Sequence, residues 1–462
     1  MFSLFPCGGS SISLPPASRR IPRRPHDLIV AAISFCIVSL AAAQPAAPPL
    51  TLQAALSAAQ ERSATLQAQD AATRSAREMA VSAGRLADPV LHLSLDNVPV
   101  EGPMRYSLTD DFMTMRSIRL SQTYTGADKR QARSARYERE AEAASTVRSL
   151  QKARLYAQTA RAWFDRYFVE QTLDLLTRQR EQASQVSEAA VSAYRGGRSS
   201  QADVLAAQAA IGQIDDRLHE VRAELSIATA LLQRWAGPAA TLPLGKPPNI
   251  NSTRLAGHSL EKEIDQHPDI AVMTAREQVA LAEADVAGKE RSTDWSWSVM
   301  YSARGSQFGD MMTVGVSIPL QWDQSRKQDR DLAARLERVE QLRSEREEVR
   351  REHLFEVQRL LVNWRSNLTR LDDYDKTLIP LANERVTATE TAFRGGKAPL
   401  TAALDARRMV IDTLLERLRI EKQTAAWWAE LEYLMPEDLL AQATPLNTNL
   451  NTSRNANPGQ KP

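Results

Sequence analysis

Cysteine is nearly missing from this chain of 462 residues, and both copies, Cys7 and Cys36, lie close to the N-terminus. A chain trimmed of that stretch has no thiol, and so no disulfide and no cysteine metal site. Aromatic residues make up only 6% of the sequence, too few for a conventional thick globular core. Neither sign of charge prevails: 58 Lys and Arg stand against 56 Asp and Glu, which leaves no electrostatic reason to expect nucleic acid as a partner. After the first 43 residues no apolar run approaches the roughly 18 residues of a membrane helix. Catalytic signatures are missing as well: there is no nucleophile elbow, P-loop, His-Glu-x-x-His or paired catalytic carboxylate, so no enzyme, catalytic residue or cofactor is expected. His219, His258, His267 and His353 are scattered without ligand spacing, and no metal site is expected either.

What is present begins with a targeting pattern. Arg19, Arg20, Arg23 and Arg24 precede the apolar stretch Leu28–Leu40, and Ala41 and Ala43 form a small-x-small site before Gln44. Residues 1–43 read as a secretory signal peptide removed near Ala43/Gln44, with Cys36 a hydrophobe inside it. A retained N-terminal anchor is the competing reading, and the apolar run is short for that. A secreted chain with no later membrane helix is periplasmic, released, or a β-barrel.

The rest is a duplication. Ala193-Tyr194-Arg195-Gly196-Gly197, followed by Arg198, returns as Ala392-Phe393-Arg394-Gly395-Gly396, followed by Lys397; Leu205 then corresponds to Leu404 and Ala207 to Ala406. Ile118-x-Leu120 with Lys129-Arg130-Gln131 likewise corresponds to Ile318-x-Leu320 with Arg326-Lys327-Gln328. Each half reads helix, two short strands, long helix, Gly-Gly turn, helix. The first repeat spans 44–240. Its opening helix runs from about Leu50 to Gly84, stopped by Asp88-Pro89, with strands at 90–98 and 113–124. From Ala127 to Ala193 there is neither Pro nor Gly, enough for a helix of about 100 Å. Glycine ends it, and Ser199 or Ser200 can cap the next helix, which stops at Gly237-Pro238. A Pro-rich linker, 241–257, leads to the second repeat, 258–436, with a helix from about Leu260 to Gly288. Strands at 294–303 and 312–323 follow, then a long helix Ser325–Thr391 and a helix to about Met435. The tail, 437–462, is Asn/Thr/Pro-rich and reads as disordered.

The strands carry the sharpest physical signal. Trp295, Trp297, Val299 and Tyr301 alternate with Ser296, Ser298 and Met300; Met312, Val314, Val316, Ile318, Leu320 and Trp322 alternate with Thr313, Gly315, Ser317, Pro319, Gln321 and Asp323. In the first half Leu91, Leu93 and Leu95 alternate with His92, Ser94 and Asp96, and Ile118, Leu120 and Tyr124 with Ser117, Arg119, Ser121 and Thr123. Period-2 alternation places one face on something apolar and the other on water. Segments of about ten such residues suit a tilted strand in a bilayer. Tyr124, Trp295, Tyr301 and Trp322 stand toward segment ends, where aromatic girdles belong. A soluble sheet packed on helices shares this alternation, but the neighbouring helices are charged and show no broad apolar face. Four strands cannot close a barrel, and an open edge is not tolerated in lipid, so closure implies oligomerisation; three chains give twelve strands.

With the two turns Tyr194-x-x-Gly197 and Phe393-x-x-Gly396 in duplicated helix–hairpin–helix halves, the chain resembles the TolC-type outer-membrane factor family (outer membrane efflux proteins) over about residues 50–436. The resemblance implies a mainly α fold with membrane β-strands: a homotrimer whose 12-stranded β-barrel crosses the outer membrane of a Gram-negative bacterium, continued by a periplasmic α-helical barrel. It implies a passive exit duct in a tripartite system, with a periplasmic adaptor protein, an inner-membrane RND-type pump and outer-membrane lipid as partners. Asp88-Pro89-Val90-Leu91, Asp96-Asn97-Val98-Pro99, Met113-Thr114-Met115-Arg116, Gln122 and Lys129-Arg130 are similar to heavy-metal-cation efflux members, the Czc and Cus type. That points to metal cations as cargo, against drugs, small organic molecules or secreted polypeptides. A structural coiled-coil envelope protein is the alternative of another class; it should lack the membrane strands and the duplicated hairpins.

Residue roles follow from the resemblance. Tyr194, Gly196, Gly197, Arg198, Phe393, Gly395, Gly396 and Lys397 would form periplasmic tips that meet the adaptor; a plain helix C-cap has the same glycines. Asp203 and Asp405 would stand as carboxylate rings at the pore entrance, favouring cations, or be solvated helix charges. The halves do not place the acid alike, since Ala402 corresponds to Asp203 and Ala206 to Asp405. Met113 and Met115 alternate in a strand and read as hydrophobic. The run Glu345–Glu352 reads as a solvated helix surface with i,i+4 ion pairs.

Overall fold

The structure, a computed structural model, describes residues 48–257 and 264–434. The expected signal peptide and cleavage site, His258 and the expected tail lie outside the described residues. Element order follows the duplication: α1 (Leu52–Arg62), α2 (Ala64–Ala83), β1 (Val90–Asp96), β2 (Met115–Tyr124), α3 (Ala127–Arg195) and α4 (Gln201–Ala236) form the first repeat. The second contributes α5 (Pro268–Lys289), β3 (Trp295–Ala303), β4 (Met311–Ser317), α6 (Gln328–Asp373), α7 (Ile379–Arg394) and α8 (Leu400–Glu432).

Several boundaries differ from expectation, each for a local reason. The opening helix is two: Ser63 leaves helical geometry (ψ 102°) and its hydroxyl accepts the Leu66 N–H at 3.3 Å, ending α1 and capping α2. Strand β4 stops at Ser317, short of the expected 323, because Pro319 has no N–H for the ladder. The second long helix begins at Gln328 and is interrupted. Tyr374–Leu378 forms a π-helical turn immediately before Pro380, whose ring and missing N–H do not suit an α-helical ladder. Helix α3, with no proline, runs 69 residues unbroken.

The four strands form one antiparallel sheet in the order β1-β2-β3-β4. Helices α2, α3, α5 and α6 attach at one end of it and pack side by side in that order; farther from the sheet α3 packs on α4 and α8, and α8 on α6 and α7. Where sheet meets helices, Lys129 of α3 is buried (3% exposed) and bridges Glu290 (3.2 Å) and Asp294 (3.0 Å), the two acids flanking the α5–β3 connection. Arg133 adds a second cation to Glu290. Burial works to raise the Glu290 carboxyl, but the hydrogen bonds and charges of Arg133 and Lys129 outweigh it and hold the group below its ordinary range.

The sparse aromatics are concentrated, which corrects the expectation of no conventional core. Trp163, Phe164 and Phe168 of α3, Trp364 of α6 and Trp428 of α8 bury together with Leu50, Leu56, Leu232 and Leu431. The indoles also clamp the connecting segments. Trp163 donates to the Leu50 carbonyl (3.0 Å), Trp364 to Ile250 (3.0 Å) and Trp428 to Ser252 (2.7 Å). The expected linker is thus a packed belt: Leu50 N–H donates to Pro243 O (2.8 Å) and Gly245 N–H to Leu50 O (3.0 Å).

Candidate functional site: sheet faces and tip turns

Register sorts the sheet into two faces. One carries the rows Leu91–Leu120–Val299–Val314 and Leu93–Ile118–Tyr301–Met312, then Gln122–Trp297–Val316 and Tyr124–Trp295. The other carries Ser94–Ser117–Ser302–Met311, His92–Arg119–Met300–Thr313, and Val90–Ser121–Ser298–Gly315. Burial is the reverse of a soluble sheet. Leu93 is 67% and Met312 72% exposed, whereas Ser117 and Ser302 on the polar face are buried at 3% and 1%. Their hydroxyls pair at 2.9 Å, and Ser117 donates to Asp96 at 2.6 Å.

The aromatic residues divide by height. Tyr124 and Trp295 pair across strands (5.4 Å between centroids) at the end that joins the helices. Tyr301 stands toward the opposite end, its hydroxyl donating to Asp310. Trp322, 87% exposed, lies beyond β4 and not in a strand. Met113 also falls outside its expected strand; Met115 alone belongs to β2, opposite Asp96.

The two Gly-Gly turns have one geometry. Gly197 and Gly396 both take φ +69°. Arg198 N–H donates to Ala193 O (2.9 Å) and Gly197 N–H to Tyr194 O (3.0 Å); Lys397 N–H donates to Ala392 O (2.8 Å) and Gly396 N–H to Phe393 O (2.9 Å). Both are Schellman caps, in which a left-handed residue turns the chain and satisfies the last carbonyls. The turns are held together by an apolar cluster of Ala190, Ala207, Leu400, Val186, Val204, Phe393 and Leu404. Tyr194, Arg198 and Lys397 remain exposed, while Phe393 packs into that cluster.

The two acids do different things. Asp203 completes a capping box: Ser200 Oγ accepts the Asp203 N–H (3.2 Å), and Asp203 Oδ2 accepts the Ser200 N–H (3.0 Å). The Ser200 backbone bond, then its hydroxyl and that of Ser199, keep the Asp203 carboxyl below its ordinary range. The second turn has Pro399 as N-cap of α8, so no acid is needed at Ala402. Asp405 is exposed on α8 and lines a groove of about 290 Å³ between α4 and α8, with Ala206, Ala210, Ile214, Arg217 and Arg408.

The histidines are not all scattered. His267, the N-cap of α5, and His353 of α6 meet in the interior, Nδ1 to Nε2, at 2.8 Å. Burial pushes the His353 imidazole down, with Asp269 and Glu356 opposing. Contact across two helices leaves no sequence spacing to read. Among the described residues no group of three or more His, Cys, Asp or Glu could hold a metal ion, and no described helix is long and apolar enough to cross a membrane.

Comparison with known proteins bears on the same elements. Residues 260–435 match the family model described as Outer membrane efflux protein. The crystal structure of CusC, described for folding and transmembrane channel formation, is similar with a TM-score of 0.71 and 15% identity, over 83% of this chain and 92% of that one. The outer membrane protein VceC from Vibrio cholerae gives 0.68 and 16% over 83% and 95%. The fold is that of these outer membrane proteins. The open-state MtrE outer membrane channel of Neisseria gonorrhoeae shares this fold too, with a TM-score of 0.64 and 16% identity over 83% and 88%. No curated protein matches the chain by sequence. The efflux-protein match falls on the second repeat.

Proposed function

We propose that this protein is the outer-membrane channel subunit of a tripartite efflux system, a passive duct and not an enzyme. The observation that carries this reading is the inverted burial of the sheet. An exposed surface of Leu, Val, Ile, Met and Tyr side chains suits hydrocarbon, and a face carrying Ser, Thr, His92 and Arg119, with Ser117 and Ser302 packed, suits a wet lumen. At about 3.4 Å per residue, the nine residues of β3 extend roughly 30 Å, a hydrocarbon thickness. The outer edges of β1 and β4 have no partner strand among the described residues. A homotrimer closes them as a twelve-stranded barrel, with Tyr124, Trp295 and Trp322 at the periplasmic boundary and Tyr301 toward the outer one. The helices then continue the duct through the periplasm, and the Schellman turns at Gly197 and Gly396 present Tyr194, Arg198 and Lys397 to an adaptor that links to an RND-type pump.

For the cargo we propose heavy-metal cations, on the hairpin residues quoted above. Asp405, exposed beside the α4–α8 groove, is the acid available to a pore entrance; Asp203 is engaged in its cap. Single-channel recording of the mature protein in planar bilayers tests both parts. Discrete steps that favour cations, with the preference reduced in Asp405→Asn, support the duct and its acidic entrance. A protein that is soluble and monomeric without detergent refutes the channel. Steps that favour anions refute the cation cargo.

A further inference from the structure

The lipid-facing rows end in a charge. Beyond Leu93–Ile118–Tyr301–Met312 comes the last row, Leu95–Arg116–Ala303, at the end of the sheet remote from the helices. Among the strand residues of this face Arg116 alone carries a full charge. Ala303 is the small member of the row, and the surface there opens into a shallow notch lined by Leu93, Leu95, Ile118 and Tyr301 together with Ser94, Ser117 and Arg116. A guanidinium has five N–H donors; that of Arg116 makes one bond, Nη2 to Arg304 O at 3.1 Å. The Arg304 side chain lies close by and donates to Gly309 O (2.7 Å). The neighbouring acid, Asp310, is occupied by the Arg304 N–H (3.1 Å) and the Tyr301 hydroxyl. Of the acids in the β1–β2 loop, Asp110 accepts from Ser107 (2.9 Å) and Asp111 from Met113 N–H (2.8 Å), while Glu101 is exposed. Arg116 thus borders the notch with a single bond made, and the nearest acid, Asp310, is already committed.

We propose that this corner is a lipid site, in which Arg116 holds a phosphate of the phosphorylated glycolipid of the outer leaflet and the notch above Ala303 takes one of its acyl chains. The proposal rests on the reading that the sheet spans the outer membrane with its helices on the periplasmic side, because that orientation sets the Arg116 end at the outer leaflet. Apolar walls alone hold any acyl chain. A planar fork of donors at the headgroup level adds a requirement for an anionic oxygen cluster, for which arginine geometry is suited.

The test is native mass spectrometry of the full mature protein in detergent, titrated with bis-phosphorylated lipid A, its dephosphorylated counterpart and phosphatidylglycerol. Expected is retention of bis-phosphorylated lipid A at least about tenfold better than either comparison lipid, and a loss of about tenfold in Arg116→Gln. Ala303→Phe, which fills the notch and leaves Arg116 in place, should lose retention as well. Arg119→Gln, on the opposite face, should not. Wild-type retention in Arg116→Gln overturns the site, as does equal competition by phosphatidylglycerol or an equal loss in Arg119→Gln. Insertion is read separately, from the oligomer band on unheated gels and from channel steps. A soluble monomer overturns the channel reading, whereas an inserted channel indifferent to Arg116 overturns the lipid site alone.

Discussion

Replacing Lys129 with methionine removes the cation at the joint between sheet and helices and keeps most of the side-chain volume. The ammonium is buried and bridges Glu290 and Asp294 at 3.2 and 3.0 Å. Stripping a buried pair of one partner typically costs about 3–5 kcal/mol, because the other charge stays desolvated. Two features reduce that here. The side chains of Glu290 and Asp294 are 38% and 25% exposed, so water compensates in part, and Arg133 remains on Glu290. The expected loss is about 2–3 kcal/mol per protomer, the upper end of ordinary substitutions. The assay is urea unfolding of the detergent-solubilised protein, followed by circular dichroism and by loss of the oligomer on unheated gels. Asp294→Asn should then be nearly harmless in the Lys129→Met background while costly in the wild type, a coupling that a double-mutant cycle reads directly. The pH sign follows from Glu290. Its folded carboxyl lies below the ordinary 4.5, so its contribution is full above that value and is lost as the pH falls through the folded one. Lys129→Met should flatten that acid limb. A loss under about 0.5 kcal/mol, or additive single and double mutants, refutes the joint as a coupled unit.

Three further outcomes follow. Gly396→Ala should cost about 1 kcal/mol in the same unfolding assay and Gly396→Asn less, because at φ +69° a Cβ meets nothing within 4 Å and strain alone is at issue; a larger loss in Asn than in Ala refutes this. Ser200→Ala should cost about 1 kcal/mol by removing the cap of α4, while Asp203→Asn, which still accepts a hydrogen bond, costs less; equal conductance selectivity in Asp203→Asn and wild type is expected. Because burial depresses the folded His353 imidazole, the unfolded chain takes up protons first, so stability should hold above about pH 6.5 and decline below it. His353→Gln should shorten that decline, and an unchanged pH profile of the melting temperature counts against it.

Much of the fold was legible because its determinants are local. Two glycines at matching places announce two left-handed turns, and a proline-free stretch announces α3. Alternation located all four strands and their faces, since side-chain parity survives whatever the sheet packs on. Ends were less legible: Ser63 breaks a stretch of good helix formers by a cap, and Pro380 stands inside a periodic pattern that masks it. The core was missed because composition averages over length, whereas Trp163 and Trp364 gather at one level. Their signal was present, one tryptophan at corresponding places in the two long helices, each bound to the carbonyl of a connecting segment. At the tips the turns were read correctly as turns. The cap at Asp203 was not legible as such, because an acid near a helix start also suits an exposed helix charge.

The open edges of the sheet bear on how such a protein comes to be in a membrane. Along their outer edges β1 and β4 each have a row of N–H and C=O groups with no partner strand among the described residues, and in hydrocarbon each such group costs several kcal/mol. A lone copy therefore has no stable way to enter the bilayer as this sheet, whatever the quality of its apolar face. On the proposed channel reading, entry and association would be a single event, with a rate that depends on how many copies are present at once, and a shortage of copies would leave sticky strand edges in the periplasm.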